Sequence, residues 1–277
     1  MAEITLLDGA CGTFLWEKAA KKLPVWQYNL VEPDIVADVH RAYAEAGSEI
    51  VLANTFSANE LSMRNTPYTV EQIVPAGVEL ARQGAGGKAT VGLDIGPLPI
   101  LLEPYGDLEE DEAFAIYDRQ IRCGVQARPD LILLETFLDV EMLKVAVRAA
   151  AQFDLPIFCS MSFEAVGKTM MGNSVRDMVE TLADLPVVAL GLNCSLGPQD
   201  AAPLMRQFRD CTDLPLLFKP NAGKPVPVDG ELVMEFDPDT FVADCLPALD
   251  AGVRYIGGCC GTSPDYIRKL KAALQAR

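Results

Sequence analysis

Short apolar segments alternate with helix-patterned segments along the whole chain, and this alternation limits the possible folds more than any other feature. Eight of the apolar segments lack regular polar alternation, which is typical of parallel strands that are covered on both faces. They are residues 4–8, 49–54, 90–95, 131–135, 157–162, 187–193, 214–219 and 255–258. Amphipathic segments predict helices at residues 33–46, 139–152, 173–185 and 264–276, and Gly47 follows the first of them as a stop signal.

Eight strands with intervening helices are typical of a (β/α)8 barrel, also called a TIM barrel. A doubly wound open sheet is the alternative, but no Gly-x-Gly-x-x-Gly pattern follows the first predicted strand. Because the 277 residues show no internal repeat and no interdomain linker, residues 1–277 are predicted to form one domain. Residues 224–237 contain prolines and acidic residues, and they are predicted to form a loop or short hairpin after the seventh strand.

The charge of the chain argues against a nucleic-acid partner. It has 23 basic and 39 acidic residues, for a net charge of −16, whereas binding to nucleic acid by counterion release needs a basic surface. The longest apolar runs are too short to cross a bilayer, and the amino terminus has neither the basic nor the apolar part of a signal peptide. We therefore expect a soluble, cytoplasmic protein without a membrane partner.

Eight cysteines in such a chain do not predict a disulfide framework, which belongs to small secreted domains. Four of the cysteines lie among apolar neighbours or in helix-like segments and are expected to be ordinary buried thiols: Cys123, Cys159, Cys211 and Cys245.

Three other cysteines follow predicted strands. Cys194 follows the sixth strand, and the adjacent Cys259 and Cys260 follow the eighth. An adjacent pair does not readily form a disulfide, because the eight-membered ring strains the peptide between the two residues, but it can offer two thiolates to one metal ion. With Cys194 the pair would form a three-sulfur zinc site whose fourth position is open to substrate, which is a catalytic arrangement. Taken alone, Cys194 would more often be a small buried residue.

Polar or metal-binding residues stand at the end of every predicted strand. A single one could simply cap a helix or form a turn, and Asp8 before Gly9 is such a case. In a barrel, however, the carboxyl ends of all eight strands meet at one rim, where active sites lie. The pattern therefore predicts a functional rim built from Asp8, Asn54, Asp94, Glu135, Ser162, Asn193, Lys219 and Cys259.

Two titratable residues have two explanations each. Glu135 follows four apolar residues, so it is expected at the barrel mouth, where a partly desolvated carboxylate needs a cationic partner. A substrate ammonium would supply that cation, and an internal pair with a lysine or arginine is the alternative. His40 lies in the first long predicted helix, away from any strand end, and is expected to be a surface or interface residue rather than a metal ligand.

Four motifs resemble those of the homocysteine S-methyltransferase family, and the resemblance covers essentially the whole chain. They are Asp8-Gly-Ala-Cys-Gly-Thr13, Ala53-Asn-Thr-Phe56, Gly191-Leu-Asn-Cys-Ser-Leu-Gly-Pro198 and Gly257-Gly-Cys-Cys-Gly-Thr-Ser-Pro264. Two further motifs, Asp94-Ile-Gly-Pro97 and Lys219-Pro-Asn-Ala-Gly-Lys-Pro225, are most similar to the homocysteine-binding module of cobalamin-dependent methionine synthase.

The resemblance implies a (β/α)8 barrel that carries zinc on Cys194, Cys259 and Cys260, with the sulfur of homocysteine in the fourth position. It implies that Asp8, Gly9 and Glu135 hold the ammonium and backbone end of the amino acid, and that Asn193 supports the metal ligands. Zinc would remove the thiol proton near neutral pH and leave a nucleophile. The implied reaction methylates homocysteine to methionine.

The methyl donor is less well defined than the acceptor. The motif at residues 219–225 favours methylcobalamin on a corrinoid protein as the donor. Cobalamin-dependent methionine synthases carry folate- and cobalamin-binding modules after this one, whereas this chain stops at Arg277. Either a corrinoid protein and a folate-binding protein are separate partners, or the donor is a small methyl compound, or the chain is a fragment. The alternatives are a small donor such as S-methylmethionine or betaine, methyl transfer involving a related thiol or thioether, and a non-catalytic thiol- or zinc-binding subunit. Cys11 stands where the family more often has methionine, and core packing is expected for it rather than a place among the rim thiols.

Overall fold

The structure, a computed structural model, describes residues 4–228 and 231–277. Its strands are β1 (Thr5–Leu6), β2 (Ile50–Leu52), β3 (Thr90–Ile95), β4 (Leu131–Phe137), β5 (Ile157–Met161), β6 (Val187–Asn193), β7 (Leu216–Lys219), β8 (Pro225–Val228), β9 (Glu231–Met234) and β10 (Val253–Ile256). Eight of these strands form one parallel sheet in the order β1-β10-β7-β6-β5-β4-β3-β2. A parallel bridge between Leu7 and Ile50 then joins β1 to β2 and brings the two edges of the sheet together.

Helices follow the strands and surround the sheet, which confirms the predicted (β/α)8 barrel. They are α1 (Cys11–Lys18), α2 (Tyr28–Val31), α3 (Pro33–Ala46), α4 (Val70–Ala85), α5 (Glu110–Gln126), α6 (Val140–Ala150), α7 (Val175–Leu182), α8 (Pro198–Cys211), α9 (Pro238–Leu249) and α10 (Pro264–Gln275), with a short 3-10 helix at Val25–Gln27. Among these, α3 begins and ends where the sequence predicts, with Pro33 in its first turn and Gly47 as its cap.

Two strands, β3 and β6, also match their predicted bounds, whereas the rim contains elements that the sequence did not predict in detail. Helix α1 follows β1 directly, and no side chain caps its first turn, so the usual sequence signal for a helix start is missing. The predicted loop or hairpin after the seventh strand is a hairpin, in which β8 and β9 pair antiparallel.

The barrel interior is filled by a cluster of apolar side chains, and this cluster sets the position of the residues above it. The cluster consists of Leu7, Ile50, Leu52, Leu131, Leu133, Phe158, Ala189 and Leu217, with Tyr255 packed against it. Because side chains alternate between the two faces of a strand, the residue two positions after an interior one points inward too. Glu135 follows Leu133 in this way and Lys219 follows Leu217, so both stand at the carboxyl end of the interior.

The prediction that His40 lies on the surface or at an interface is wrong. His40 is fully buried between α3 and its neighbour α4, on the stripe of α3 that also contains Val36 and Tyr43. That stripe has the spacing of a buried helix face, and Gly84 lets α4 approach so closely that a Cβ there would lie 2.6 Å from the Cβ of His40. Neither ring nitrogen has a hydrogen-bond partner among the described residues, and burial lowers the pKa of the imidazole to about 4.

The four cysteines that were expected to be ordinary buried thiols agree with that expectation in three cases out of four. Cys123, Cys159 and Cys245 are buried thiols, and Cys211 is half-buried at the end of α8. Within residues 4–228 and 231–277, no helix has both the length and the apolar character needed to span a bilayer.

Candidate metal centre and substrate cavity

The structure brings the three cysteines that were predicted as metal ligands together at the carboxyl end of the barrel. Cys194 follows β6, and Cys259 and Cys260 follow β10, two strands that are separated in the sheet only by β7. Their Sγ atoms all lie within 4.8 Å of one another, and those of Cys194 and Cys260 are 3.9 Å apart. The three thiols therefore form a cluster that could hold a metal ion.

The spacing of the sulfurs fits zinc. Two sulfurs bound tetrahedrally to one zinc ion at about 2.3 Å lie about 3.8 Å from each other. The 3.9 Å separation of the Cys194 and Cys260 sulfurs matches this value. No two sulfurs of the cluster are more than 4.8 Å apart, so a rotation of the side chains is enough to bring all three to this spacing. Three sulfur ligands also favour zinc over harder cations.

Backbone contacts hold the cysteines in place. The Cys194 N–H donates to the Lys219 carbonyl at 3.1 Å, and the Cys259 N–H donates to the Pro220 carbonyl at 2.8 Å, so both ligand segments are bonded to the end of β7. Cys194 and the following Ser195 have φ values of 62° and 58°. This left-handed backbone is uncommon for residues with a side chain, and here it turns the chain at the point where the Cys194 sulfur must face the other two.

Asn193 connects the cysteine cluster to two neighbouring strands. Its Oδ1 accepts hydrogen bonds from the Thr136 N–H and the Ser160 hydroxyl, both at 2.8 Å, and its Nδ2 donates to Thr136 Oγ1 at 2.7 Å. The same Nδ2 lies 3.7 Å from the sulfur of Cys259. The amide is thus fixed by three partners and offers a weak hydrogen bond to a candidate metal ligand.

The three thiols influence one another's pKa in opposite directions. Hydrogen bonds from Cys259 and Cys260 lower the pKa of Cys194 to about 3, whereas the bonds made with Cys194 and Cys260 raise the pKa of Cys259 well above its usual value. The contacts among the three sulfurs thus favour the thiolate form at Cys194 over that at Cys259. Metal ions bind thiolates rather than thiols.

A cavity of about 300 Å³ opens beside the cysteines. Its walls contain all three thiols together with Asp8, Gly9 and Glu135, the residues that the sequence placed at the substrate. Gly9 contacts its surroundings so closely that a Cβ there would lie 2.6 Å from Thr262 Oγ1 and 2.9 Å from the Tyr43 hydroxyl. Any larger residue at position 9 would therefore push this wall of the cavity apart.

Glu135 has a cationic partner within the chain, which is the alternative that the sequence left open. Lys219 Nζ lies 2.9 Å from Glu135 Oε2 and 3.8 Å from Asp8 Oδ1, and all three side chains are almost completely buried. The other oxygen of Asp8 accepts a hydrogen bond from the Leu52 N–H at 2.7 Å. The carboxylates are thus fixed in position before any substrate enters.

Burial and the charges of neighbouring side chains shift the pKa values of the acidic residues and the lysine in the cavity. Burial raises the pKa of Asp8 to about 7, although Lys219 acts in the opposite direction. Burial alone would lower the pKa of Lys219, but Glu135 and Asp8 outweigh it and the pKa of the lysine is raised. Asp94, which also lines the cavity, has a pKa raised well above its usual range by burial and by the neighbouring Glu135. Lys219 is therefore a cation at neutral pH.

Lys219 and Asp94 belong to the predicted rim, but the sequence assigned neither of them to the substrate or to the metal. The signal that could have assigned them is the one that identified Glu135, a charged residue directly after an apolar run. Cys11, at the start of α1, packs against the core as expected, and it also lines the cavity at the rim. Within the described residues it is not part of the cysteine cluster.

Comparison with known proteins identifies relatives over nearly the whole chain. The family model described as "Homocysteine S-methyltransferase" matches residues 5–274. The methionine synthase of Mycobacterium leprae (strain TN) is 30% identical over 265 residues, which is 89% of this chain and 22% of that protein. The methionine synthase of Mycobacterium tuberculosis (strain ATCC 25618 / H37Rv) is 30% identical over 267 residues, with the same coverage. The chain thus spans about a fifth of the length of these curated relatives.

Solved structures agree with the fold. The metallated form of the homocysteine methyltransferase MmuM from Escherichia coli superimposes with a TM-score of 0.82 at 22% identity, covering 98% of this chain and 96% of that one. The apo form gives a TM-score of 0.78 at 24% identity, covering 98% and 95%. At this identity the structures establish the fold alone, whereas the family model covers almost every residue. The chain therefore belongs to the homocysteine S-methyltransferase family of enzymes.

Proposed function

We propose that this chain transfers a methyl group to the thiolate of homocysteine and so produces methionine, with zinc held by Cys194, Cys259 and Cys260. The observation that supports this most directly is the position of the three sulfurs, which converge at a cavity that is also lined by the carboxylates of Asp8 and Glu135. A thiol amino acid has the two matching features, a sulfur for the metal and an ammonium group for the carboxylates.

The relatives support the same assignment. The family model and the two mycobacterial methionine synthases connect the chain to homocysteine methylation. The MmuM structure that shares its fold has a metallated form. Because these comparisons do not identify the metal of this chain, the choice of zinc rests on the three-sulfur donor set and on its spacing.

Each part of the chain has a distinct task in the proposed reaction. Zinc, when bound, would supply a site where the substrate sulfur is held as a thiolate near neutral pH. Glu135, with Asp8 beside it, binds the ammonium group, and Gly9, which lines the cavity without a side chain, leaves room for the backbone end of the amino acid. Asn193 orients Cys259. The apolar cluster of the barrel interior lies below the site, so substrate and donor enter from the mouth of the barrel.

The donor is proposed to be a methyl-corrinoid carried by a separate protein, with a folate-binding protein as a further partner. Two rim loops, at residues 96–109 and 162–174, expose large apolar side chains: Leu101, Tyr105, Val166 and Met170. Such side chains around the mouth suit contact with another macromolecule. An enzyme with a small donor would instead be expected to enclose it and to exclude water.

We also propose that the protein works in the cytoplasm, because a cluster of free thiols stays reduced there.

A donor panel tests the proposed function. The full chain is incubated with zinc, homocysteine and one donor at a time, and methionine is measured. We expect methionine from a methylated corrinoid protein and, at lower efficiency, from free methylcobalamin, and little from S-methylmethionine or betaine. Efficient turnover with S-methylmethionine alone would replace the proposed donor. Failure of homocysteine to bind, together with no methionine from any donor, would leave a non-catalytic thiol- or zinc-binding role.

A further inference from the structure

The cavity contains buried polar atoms whose hydrogen-bonding capacity is not used. Among the described residues, Asp8 Oδ1 and Asp94 Oδ1 have no hydrogen-bond partner, although both side chains are more than nine-tenths buried. The 3.8 Å separation of Asp8 Oδ1 from Lys219 Nζ is an ion pair that is too long for a hydrogen bond. Buried acceptors without partners are costly and rare, so two carboxylate oxygens at the cavity wall await a donor.

The Lys219 ammonium group, in contrast, has more hydrogen-bond donors than it uses. An ammonium group carries three hydrogens and no acceptor, and within the described part of the chain the Lys219 ammonium makes one hydrogen bond, to Glu135 at 2.9 Å. Two of its donors are therefore free for a ligand. Lys219 is also the only cationic side chain among the described residues that line the cavity.

Free acceptors and free donors in one cavity match a ligand that carries both a cation and an anion. An amino acid enters as such a zwitterion, and it adds no net charge to a buried group of residues. Its ammonium group satisfies the free carboxylate oxygens, but its carboxylate would remain buried and unpaired without a cation, which is costly. Lys219 lines the same cavity and can supply the cation that this carboxylate needs.

We propose that Lys219 binds the α-carboxylate of the acceptor thiol, so that the site selects thiols that carry a carboxylate. This inference rests on the proposed function, in which a thiol amino acid enters the cavity with its sulfur at the cysteine cluster. Lys219 then has two partners at once, since one hydrogen bond holds it on Glu135 while the others bind the substrate. Asp8 and Asp94 supply the acceptors that complete the ammonium site.

The test compares three thiols that differ by one group each. Homocysteine carries both groups, 3-aminopropane-1-thiol lacks the carboxylate, and 4-mercaptobutanoate lacks the ammonium. Their dissociation constants are measured by calorimetry on the full zinc-loaded chain and on Lys219→Met. We expect the variant to bind homocysteine and 4-mercaptobutanoate roughly 10- to 100-fold more weakly, the loss of a charge-assisted hydrogen bond. It is expected to bind 3-aminopropane-1-thiol as tightly as before or more tightly, because the carboxylates have lost their internal cation.

Opposite changes for the carboxylate and the amine thiols separate recognition from a structural role. If all three thiols weaken equally, Lys219 only supports the site, and if none changes, the carboxylate is bound elsewhere, for example at the N-terminus of α1; either result overturns the inference. Lys219→Arg keeps the cation and is expected to keep the preference for carboxylates. Lys224→Met removes an exposed lysine outside the cavity and serves as the matched control. If the wild-type chain binds no thiol at all, the proposed function itself fails.

Discussion

The Asn193 amide provides the most direct test of how the chain supports a metal at the cysteine cluster. Replacing Asn193 by Ala removes the hydrogen bonds with Thr136 and Ser160 and the 3.7 Å contact with the Cys259 sulfur. All three cysteines remain in place. The variant therefore separates the support of a ligand from the ligand itself.

The expected magnitude follows from these contacts. Loss of the partner of a metal ligand usually weakens metal binding about 10- to 100-fold, which corresponds to about 1.4–2.7 kcal/mol. The substitution also leaves the Thr136 N–H and the Ser160 hydroxyl without their acceptor. Each such group costs about 1–3 kcal/mol when buried. Since Thr136 is only half-buried, we expect the metal-free variant to lose about 2–4 kcal/mol of unfolding free energy.

Two measurements check this prediction. Zinc affinity is obtained by competition with a chelator of known affinity, and the stability of the metal-free protein is obtained by urea denaturation. Ser162→Ala is the matched control, because the Ser162 hydroxyl donates to the backbone carbonyl of Asn193 at 2.9 Å and does not contact the amide. It is expected to reduce stability while zinc affinity stays the same. Unchanged zinc affinity in Asn193→Ala, or an equal loss in both variants, would refute the reasoning.

Three further outcomes are expected. The wild-type chain binds about one zinc ion and Cys259→Ser loses most of it, as measured by metal analysis; full occupancy in the variant would remove Cys259 from the ligand set. Glu135→Gln weakens homocysteine binding about 30- to 150-fold, the effect of losing a charge-assisted contact of about 2–3 kcal/mol, while calorimetry and metal analysis show an unchanged zinc content. Burial lowers the pKa of His40 from 6.5 to about 4. The unfolded chain therefore binds this proton at a higher pH than the folded chain, and the free energy of unfolding falls as the pH is lowered from 6.5 to 4. Urea denaturation is therefore expected to show wild type losing about 3 kcal/mol relative to His40→Leu over that range, and a constant difference would contradict the burial argument.

The sequence predicted the barrel and its cysteine cluster because both depend on local signals. Segments such as residues 90–95 are apolar without alternation, and the Cys259–Cys260 pair stands between glycines at a strand end. The internal partner of Glu135 could not be assigned, since Lys219 is 84 positions away and any lysine or arginine would have satisfied the same rule. The burial of His40 was not predicted, because a histidine is polar and this one has no strand end nearby, although its spacing from Val36 and Tyr43 is that of a buried helix face. That residues 1–277 form one domain stays a prediction.

The metal centre has a consequence for the order in which the protein is made. Its ligands come from positions 66 residues apart, and the Ala10 N–H is bonded to a hydroxyl 252 residues later, on Thr262. Contacts between such distant parts of a chain form slowly, and the amino-terminal part leaves the ribosome first. The three sulfurs can therefore come together only after β10 has been synthesised, and until then Cys194 lacks the other two ligands. A nascent chain arrested before Cys259 is expected to hold no metal at this site.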